Sequence, residues 1–187
     1  MRRLLILAVV VALLLFSMMP VLAQSGAEGP LRIYEDGPDD AVHRALVLMP
    51  SVQFVTDPAA ADVLVVHNAP LTEAQALVDG GKPLILFLGP DLPDTAANLL
   101  LGQPGAPVAV TEPATLVAAP GADDPLLRDV NWNSAPQVRE RSALAGAGLE
   151  QLVATEDGQT VIGRLGGITV VTVWLTGDYN SDLQEWP

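Results

Sequence analysis

The stretch Pro83–Leu88 (Pro-Leu-Ile-Leu-Phe-Leu) is the most hydrophobic of the predicted strands, and Gly89-Pro90-Asp91 follows it at once. A continuous apolar run of this length, bounded by turn residues, is typical of a strand that is covered on both faces. We therefore predict that Pro83–Leu88 is a central strand of the sheet.

Upstream of this strand, short strands and helices alternate. Alternation or continuous apolar runs predict three strands: Leu31–Glu35, Val52–Val55 and Ala61–Val66. Helices are predicted after a cap at Asp39 or Asp40, from Leu71 to the Gly80-Gly81 pair, and over Thr95–Leu101. Short strand–helix–strand connections of this kind predict parallel strands with right-handed crossovers and helices on both faces of the sheet.

The pattern changes after Gly102. Three short extended segments are predicted there: Pro107–Thr111, Ala114–Ala118 and Gln137–Leu144. Asp157-Gly158 and Gly166-Gly167 each separate two apolar runs, and both dipeptides accept the positive φ angles of tight hairpin turns. The predicted fold class is therefore α/β, a three-layer domain with a mostly parallel central sheet and antiparallel C-terminal strands.

Composition excludes several kinds of chemistry. The chain has 187 residues, 22 acidic and 9 basic side chains, two histidines and no cysteine, with a net charge of −13. Without cysteine there is no thiol nucleophile, disulfide, iron–sulfur cluster or cysteine-bound zinc. The excess of negative charge disfavours binding to the phosphate backbone of nucleic acids.

The N-terminal segment concerns targeting rather than fold. Met1–Arg3 is basic, Leu4–Phe16 is apolar, and a small residue, Ala23, precedes a polar one, which is the pattern of a secretory signal. The alternative is an uncleaved anchor, because Leu4–Ala23 is 20 residues long and close to the minimum for spanning a bilayer. We expect residues 1–23 to be a signal or anchor, residues 24–30 a linker and residues 31–187 an extracytoplasmic domain, either secreted or anchored at the membrane.

Several phrases point together to a known family. They are Ala61–His67 (Ala-Asp-Val-Leu-Val-Val-His), Asp79–Pro83 (Asp-Gly-Gly-Lys-Pro), Leu84–Asp91, Asp124–Val130 and Leu175–Leu183. In this order they resemble a class I glutamine amidotransferase-like domain, of the kind found in bacterial membrane proteins of the aerotolerance type. The resemblance covers roughly Leu31–Pro187 and implies a flavodoxin-like or amidotransferase-like architecture. In that family the chain normally continues into another core helix and often a transmembrane segment, so we expect this domain to be truncated after Pro187.

The resemblance also implies that catalysis has been lost. Active members place a cysteine at a sharp strand-to-helix turn, and the matching stretch here, Phe87–Asp91, has no thiol, while Pro90 removes a backbone donor. The downstream His-x-Glu pair of active members has no match, because the two histidines are His43 and His67. We therefore expect no catalytic residues, no cofactor and no glutamine hydrolysis.

Four residues are candidates for ligand binding: His67, Asn68, Gly89 and Asp91. They follow two predicted parallel strands, and ligands of open α/β sheets bind at the carboxyl edge. The simpler interpretation is that His67 and Asn68 close a strand and that Asp91 caps a turn. No metal site is predicted, since Asp178–Asp182 has the spacing of a calcium loop but Leu183 stands where that loop needs glycine.

These observations predict a non-catalytic exported module that binds a protein partner or a small ligand within a membrane-associated assembly. Membrane association would come through the N-terminal segment or through a segment beyond Pro187. Two alternatives stay open: an extracytoplasmic hydrolase that uses His67 with an unrecognised serine or carboxylate, and a purely structural spacer.

Overall fold

Eleven strands and two short α-helices make up the described part of this computed structural model, which covers residues 29–69, 75–90, 108–122, 124, 127, 130–132, 135, 137–144 and 148–175. The strands are β1 (Leu31–Asp36), β2 (Val52–Phe54), β3 (Val63–His67), β4 (Leu84–Phe87), β5 (Val108–Val110), β6 (Ala114–Ala118), β7 (Gln137–Val138), β8 (Arg141–Ala143), β9 (Glu150–Thr155), β10 (Thr160–Leu165) and β11 (Ile168–Val171). The helices are α1 (Ala41–Val47) and α2 (Gln75–Asp79), with a 3₁₀ turn over Pro58–Ala60.

Nine strands form one sheet in the order β2-β1-β3-β4-β11-β10-β9-β6-β7, and β5 and β8 form a separate pair. From β2 to β11 every neighbouring pair is parallel. From β11 to β7 every neighbouring pair is antiparallel. The last strand in sequence, β11, therefore lies in the middle of the sheet beside β4.

The predicted fold class is wrong. Four of the strand pairs in the main sheet are parallel and four are antiparallel, so the sheet is mixed. The two α-helices of the described residues are short, with seven and five residues. The domain is therefore not the three-layer α/β fold with a mostly parallel sheet that the flavodoxin-like or amidotransferase-like expectation required. The physical reason is that β11, the last strand of the two hairpins, pairs directly with β4, so the antiparallel strands make up half of the same sheet.

Most individual elements agree with the sequence. The two hairpins are confirmed, with Gly158 at φ +84° and Gly166 at φ +57° in their turns. Asp40, not Asp39, caps α1, since its carboxylate accepts from the backbone N–H groups of Val42 and His43. The predicted extended segment Gln137–Leu144 divides into β7 and β8. The predicted helix Thr95–Leu101 and the N-terminal segment lie outside the described residues.

The core lies on both faces of the sheet. Alternate residues of β3 and β4 point to opposite sides, so Val65 and Ile85 pack with α1 while Leu64 and Leu86 pack with α2. All five residues of β3 and all four of β4 are buried, as the continuous apolar runs predict. Burying one such side chain contributes about 1.5–3 kcal/mol. These two strands are therefore the rigid centre that positions the residues at their ends.

No helix among the described residues is both long and apolar enough to cross a lipid bilayer.

Candidate functional site

A buried histidine closes β3 at the carboxyl edge of the parallel strands. His67 is 0 % exposed. Its Nδ1 lies 3.1 Å from Oδ2 of Asp40, and its Nε2 lies 2.9 Å from Oε1 of Glu35. Carboxylate oxygens only accept hydrogen bonds, so both ring nitrogens donate when the ring is an imidazolium. The arrangement is a cation held between two anions inside the protein.

Local structure explains why these three side chains meet. Glu35 is on β1 opposite Val65 of β3, two residues before His67, so both side chains point to the α1 face of the sheet. Asp40 is the N-cap of α1: its Oδ1 accepts from the backbone N–H of Val42 at 2.8 Å. The carboxylate of Asp40 therefore caps the helix with one oxygen and binds the imidazole with the other.

A second histidine extends the arrangement toward solvent. Nδ1 of His43, in α1, lies 2.8 Å from Oε2 of Glu35, so both oxygens of that carboxylate are occupied. The His43 ring is partly exposed and stands 6.0 Å from the ring of Phe54 at the end of β2. We call His43, Glu35, His67 and Asp40 the charged cluster.

The charged cluster changes the acid–base behaviour of His67. Burial lowers the pKa of His67, but hydrogen bonds to Asp40 and Glu35, together with their negative charges, outweigh it and raise the pKa from 6.5 to about 9. The ring therefore carries a proton at neutral pH. A protonated imidazole with both N–H groups engaged cannot accept a proton from a substrate.

Gly37 lets the chain pass directly over the imidazole. A Cβ atom at this position would lie 2.5 Å from Cε1 and 2.5 Å from the backbone oxygen of His67. Such a distance is shorter than any real contact of two carbon atoms, so a side chain here displaces the ring. Gly37 thus completes the enclosure of His67.

The predicted ligand-binding residues are partly brought together. Asn68 adopts φ +47°, a left-handed conformation that asparagine tolerates, and its side chain lies against Gly89. A Cβ on Gly89 would collide with the Asn68 amide. His67, Asn68 and Gly89 therefore meet at the ends of β3 and β4, whereas Asp91 lies outside the described residues. Whether these residues bind a ligand stays a prediction.

The turn after β4 carries no reactive side chain in its described residues. Leu88 is 2 % exposed and its N–H donates to the backbone oxygen of Val171 at 2.9 Å. Gly89 and Pro90 follow it. Within the described residues there is also no group of three or more histidine or acidic side chains arranged to hold a metal ion.

Four residues of this site were not predicted as site residues from the sequence: Glu35, Gly37, His43 and Asp40, the last of which was predicted only as a possible helix cap. One signal was available, because the alternation of β1 puts Glu35 on the same face as buried Ile33. A carboxylate on a buried face needs a partner. The sequence did not identify that partner, since His67 is 32 residues away.

A groove of about 440 Å³ lies elsewhere, beside the β9–β10 hairpin. Its lining includes Gly121, Gly148, Glu150, Gln151 and Thr160. It is separate from the charged cluster, and none of the predicted ligand-binding residues lines it.

Comparisons with known proteins give a fold relationship only. No protein-family model and no curated protein sequence matches the chain. Among solved structures, the exo-β-1,4-mannosidase Op5Man5 from Opitutaceae bacterium strain TAV5 is similar, with a TM-score of 0.52 and 14 % identity over 88 % of this chain. A β-galactosidase from the psychrophilic Marinomonas ef1 has a TM-score of 0.47, with 13 % identity over 92 % of this chain. A protein from Thermoplasma acidophilum, assigned as one of the subunits of GMP synthase, has a TM-score of 0.48, with 12 % identity over 85 % of this chain and 92 % of its own.

The chain spans only about a third of the two glycosidases, 34 % of the mannosidase and 31 % of the β-galactosidase. At 14 % identity the likeness to the mannosidase concerns the path of the backbone and not the chemistry.

Proposed function

We propose that this chain is an exported, non-catalytic glutamine amidotransferase-like module that binds a protein partner or a small ligand as part of a membrane-associated assembly. The observation that carries the non-catalytic part is the pairing of both His67 nitrogens with carboxylates. The support for the amidotransferase-like relationship and for export is the order of the sequence phrases and the N-terminal apolar segment.

Acid–base catalysis by His67 has little physical support. A general base needs an unprotonated nitrogen within hydrogen-bond reach of the proton that it removes. The two nitrogens of His67 are occupied by Asp40 and Glu35, and burial keeps substrate away from the ring. The hydrolase alternative would require the charged cluster to open first.

Nucleophilic catalysis at the turn after β4 has equally little support. The residues that follow Phe87 are leucine, glycine and proline, none of which can attack a carbonyl carbon. A binding role does not require a nucleophilic side chain in this turn. Asn68 places an amide group at the carboxyl edge, and Gly89, which has no side chain, leaves its backbone close to that amide. Ligands of parallel sheets bind at this edge.

The catalytic part of the proposal is tested by incubating the purified full chain with glutamine and measuring the ammonia released. We expect no release above that of buffer alone. Ammonia release that disappears in the His67→Gln variant would contradict the proposal and favour an enzyme. A panel of ester substrates, read in the same two proteins, tests the hydrolase alternative.

The binding part is tested by recording backbone amide spectra of the ¹⁵N-labelled chain against a small-molecule library. We expect the compounds that bind to shift the amide signals of Asn68 and Gly89. Gly89→Ala, which crowds the Asn68 side chain, should remove those shifts, whereas Gly29→Ala, with open space around its Cβ position, should keep them. Shifts that map elsewhere, or none at all, favour the spacer alternative.

A further inference from the structure

The edge at which β1, β2, β3, β4 and β11 begin differs from the edge that carries the charged cluster. We call it the amino edge. Helix α1 connects two parallel strands and so runs back to the amino edge, where it ends in Val47 and Leu48. These side chains are 56 % and 54 % exposed. Phe54 is the third large hydrophobic side chain exposed in the described ranges, and it lies at the opposite end of β2 beside His43.

The chain enters the domain at this same edge. The N–H of Leu31, the first residue of β1, donates to the backbone oxygen of Ser51 at 2.8 Å. Ser51 follows closely on Leu48, and the N–H of Val52 donates to the oxygen of Met49 at 3.2 Å. Whatever precedes Leu31 therefore approaches next to the exposed Val47-Leu48 pair.

The sequence that precedes Leu31 is apolar and close by. Leu4–Ala23 contains 20 residues with no charged side chain, and only residues 24–30 separate it from β1. Seven residues span at most about 25 Å when fully extended. If the segment is retained as an anchor, the amino edge stays within that distance of the bilayer.

The distribution of charged side chains also favours the amino edge as the one that faces the membrane. At the amino edge Arg32 and Arg164 neutralise the carboxylates of Asp62 and Asp124, at 2.6 Å and 3.0 Å. Among the described residues, Asp79 and Glu150 are also exposed there, and exposed Asp57 caps the 3₁₀ turn whose carbonyl oxygens accept from Lys82 just before β4. Of the residues that the structure describes, the carboxyl edge exposes one cation, Arg139, and four carboxylates: Asp39, Glu112, Glu156 and Asp157. Exposed carboxylates are costly to move next to a bilayer because they lose hydration. The amino edge is the less costly one to bring to a lipid surface.

We propose that the amino edge of the domain lies against the outer surface of the membrane, with Val47 and Leu48 in the headgroup region. The carboxyl edge, with His67, Asn68 and Gly89, then faces away from the bilayer and toward a partner. This inference rests on the membrane-associated part of the proposed function. Lipid covers the Val47-Leu48 surface, and the N-terminal segment tethers the domain to the bilayer.

The absence of cysteine makes a direct test possible, because one introduced cysteine is a unique labelling site. Leu48→Cys and the matched control Glu156→Cys, both at exposed positions, are labelled with an environment-sensitive fluorophore. The full chain, with its N-terminal segment, is reconstituted into phosphatidylcholine vesicles that contain a headgroup-level spin-labelled lipid. We expect the label at position 48 to lose most of its fluorescence and the label at position 156 to lose none.

Three results would overturn the inference. Equal quenching at positions 48 and 156 would mean that the domain has no preferred orientation. A blue-shifted but unquenched label at position 48 would mean that protein, a partner or a second copy, covers the surface. Failure of the full chain to sediment with the vesicles would mean that no tether exists. Failure to sediment would also remove the membrane-associated part of the proposed function, whereas equal quenching in a chain that sediments would overturn this inference alone.

Discussion

Oε1 of Glu35 lies 2.9 Å from Nε2 of His67, and this contact joins the ends of two neighbouring parallel strands inside the protein. Asp40 engages the other ring nitrogen at 3.1 Å. Because the carboxylates of buried Asp40 and partly buried Glu35 flank one buried imidazole, the proton on His67 is part of the folded structure.

Stability should therefore fall at alkaline pH. The pKa of His67 is raised in the folded protein to about 9, from 6.5, so the proton binds more tightly in the folded state than in the unfolded state. The contribution is fully present below about pH 6.5, declines above it and is lost as pH rises through about 9, and it amounts to about 3 kcal/mol. Urea unfolding at a series of pH values measures this loss, with the His67→Gln variant as control. An unfolding free energy that stays level over this interval would contradict it.

Removing the imidazole should leave the carboxylates of Asp40 and Glu35 without the cation that lies between them. We expect His67→Gln to lower the free energy of unfolding by about 3–5 kcal/mol. Changing Glu35 to Gln in the same chain should recover part of that loss, because a neutral amide no longer needs the cation. A double-mutant cycle by urea unfolding measures the coupling, and strictly additive effects of the two substitutions would rule out the ionic account.

A methyl group over the imidazole should be poorly tolerated. Gly37→Ala places a Cβ 2.5 Å from Cε1 of His67, and overpacking of this kind costs about 1–3 kcal/mol. Gly29→Ala is the matched control, since nothing lies within 4 Å of its Cβ position. Thermal unfolding should show a lower midpoint temperature for Gly37→Ala than for Gly29→Ala. If both unfold at the same temperature, the ring is not held against residue 37.

The buried guanidinium of Arg141 should also be needed for stability. It is 2 % exposed, its Nη1 donates to the backbone oxygen of Glu112 at 2.7 Å, and its Nε donates to Oε1 of Gln159 at 3.3 Å. Arg141→Met removes these donors from partly buried oxygens and should cost about 3 kcal/mol. Arg139→Met, at an exposed position between β7 and β8, should cost far less. Equal urea midpoints for the two variants would show that Arg141 is dispensable.

Local patterns predicted the elements well because the information is local. The apolar runs of β3 and β4 indicate burial on both faces, and Asp157-Gly158 and Gly166-Gly167 indicate tight turns with positive φ. The order of strands is a different matter. Nothing in the sequence of β11 specifies that Val170 lies beside Leu86 rather than at the end of the sheet. The predicted parallel architecture was wrong for that reason.

The candidate site was predictable only in part. Its position at the ends of β3 and β4 follows from parallel topology, so His67, Asn68 and Gly89 could be named. The role of His67 could not be predicted, because its partners Glu35 and Asp40 belong to other elements. The interaction depends on the distances between the ring nitrogens and the two carboxylates, which only the folded chain fixes. The need for glycine at position 37 likewise follows from a close approach to His67 that exists only in the folded chain.

The central claim is that His67 is a buried cation and not a catalytic base. It is tested most directly by a long-range ¹H–¹⁵N spectrum of the histidine rings at neutral pH, with the His67 signals assigned from their loss in His67→Gln. We predict that Nδ1 and Nε2 of His67 both carry protons and that the ring titrates at about pH 9. A spectrum with one unprotonated His67 nitrogen at neutral pH would contradict the claim and return the hydrolase alternative to consideration.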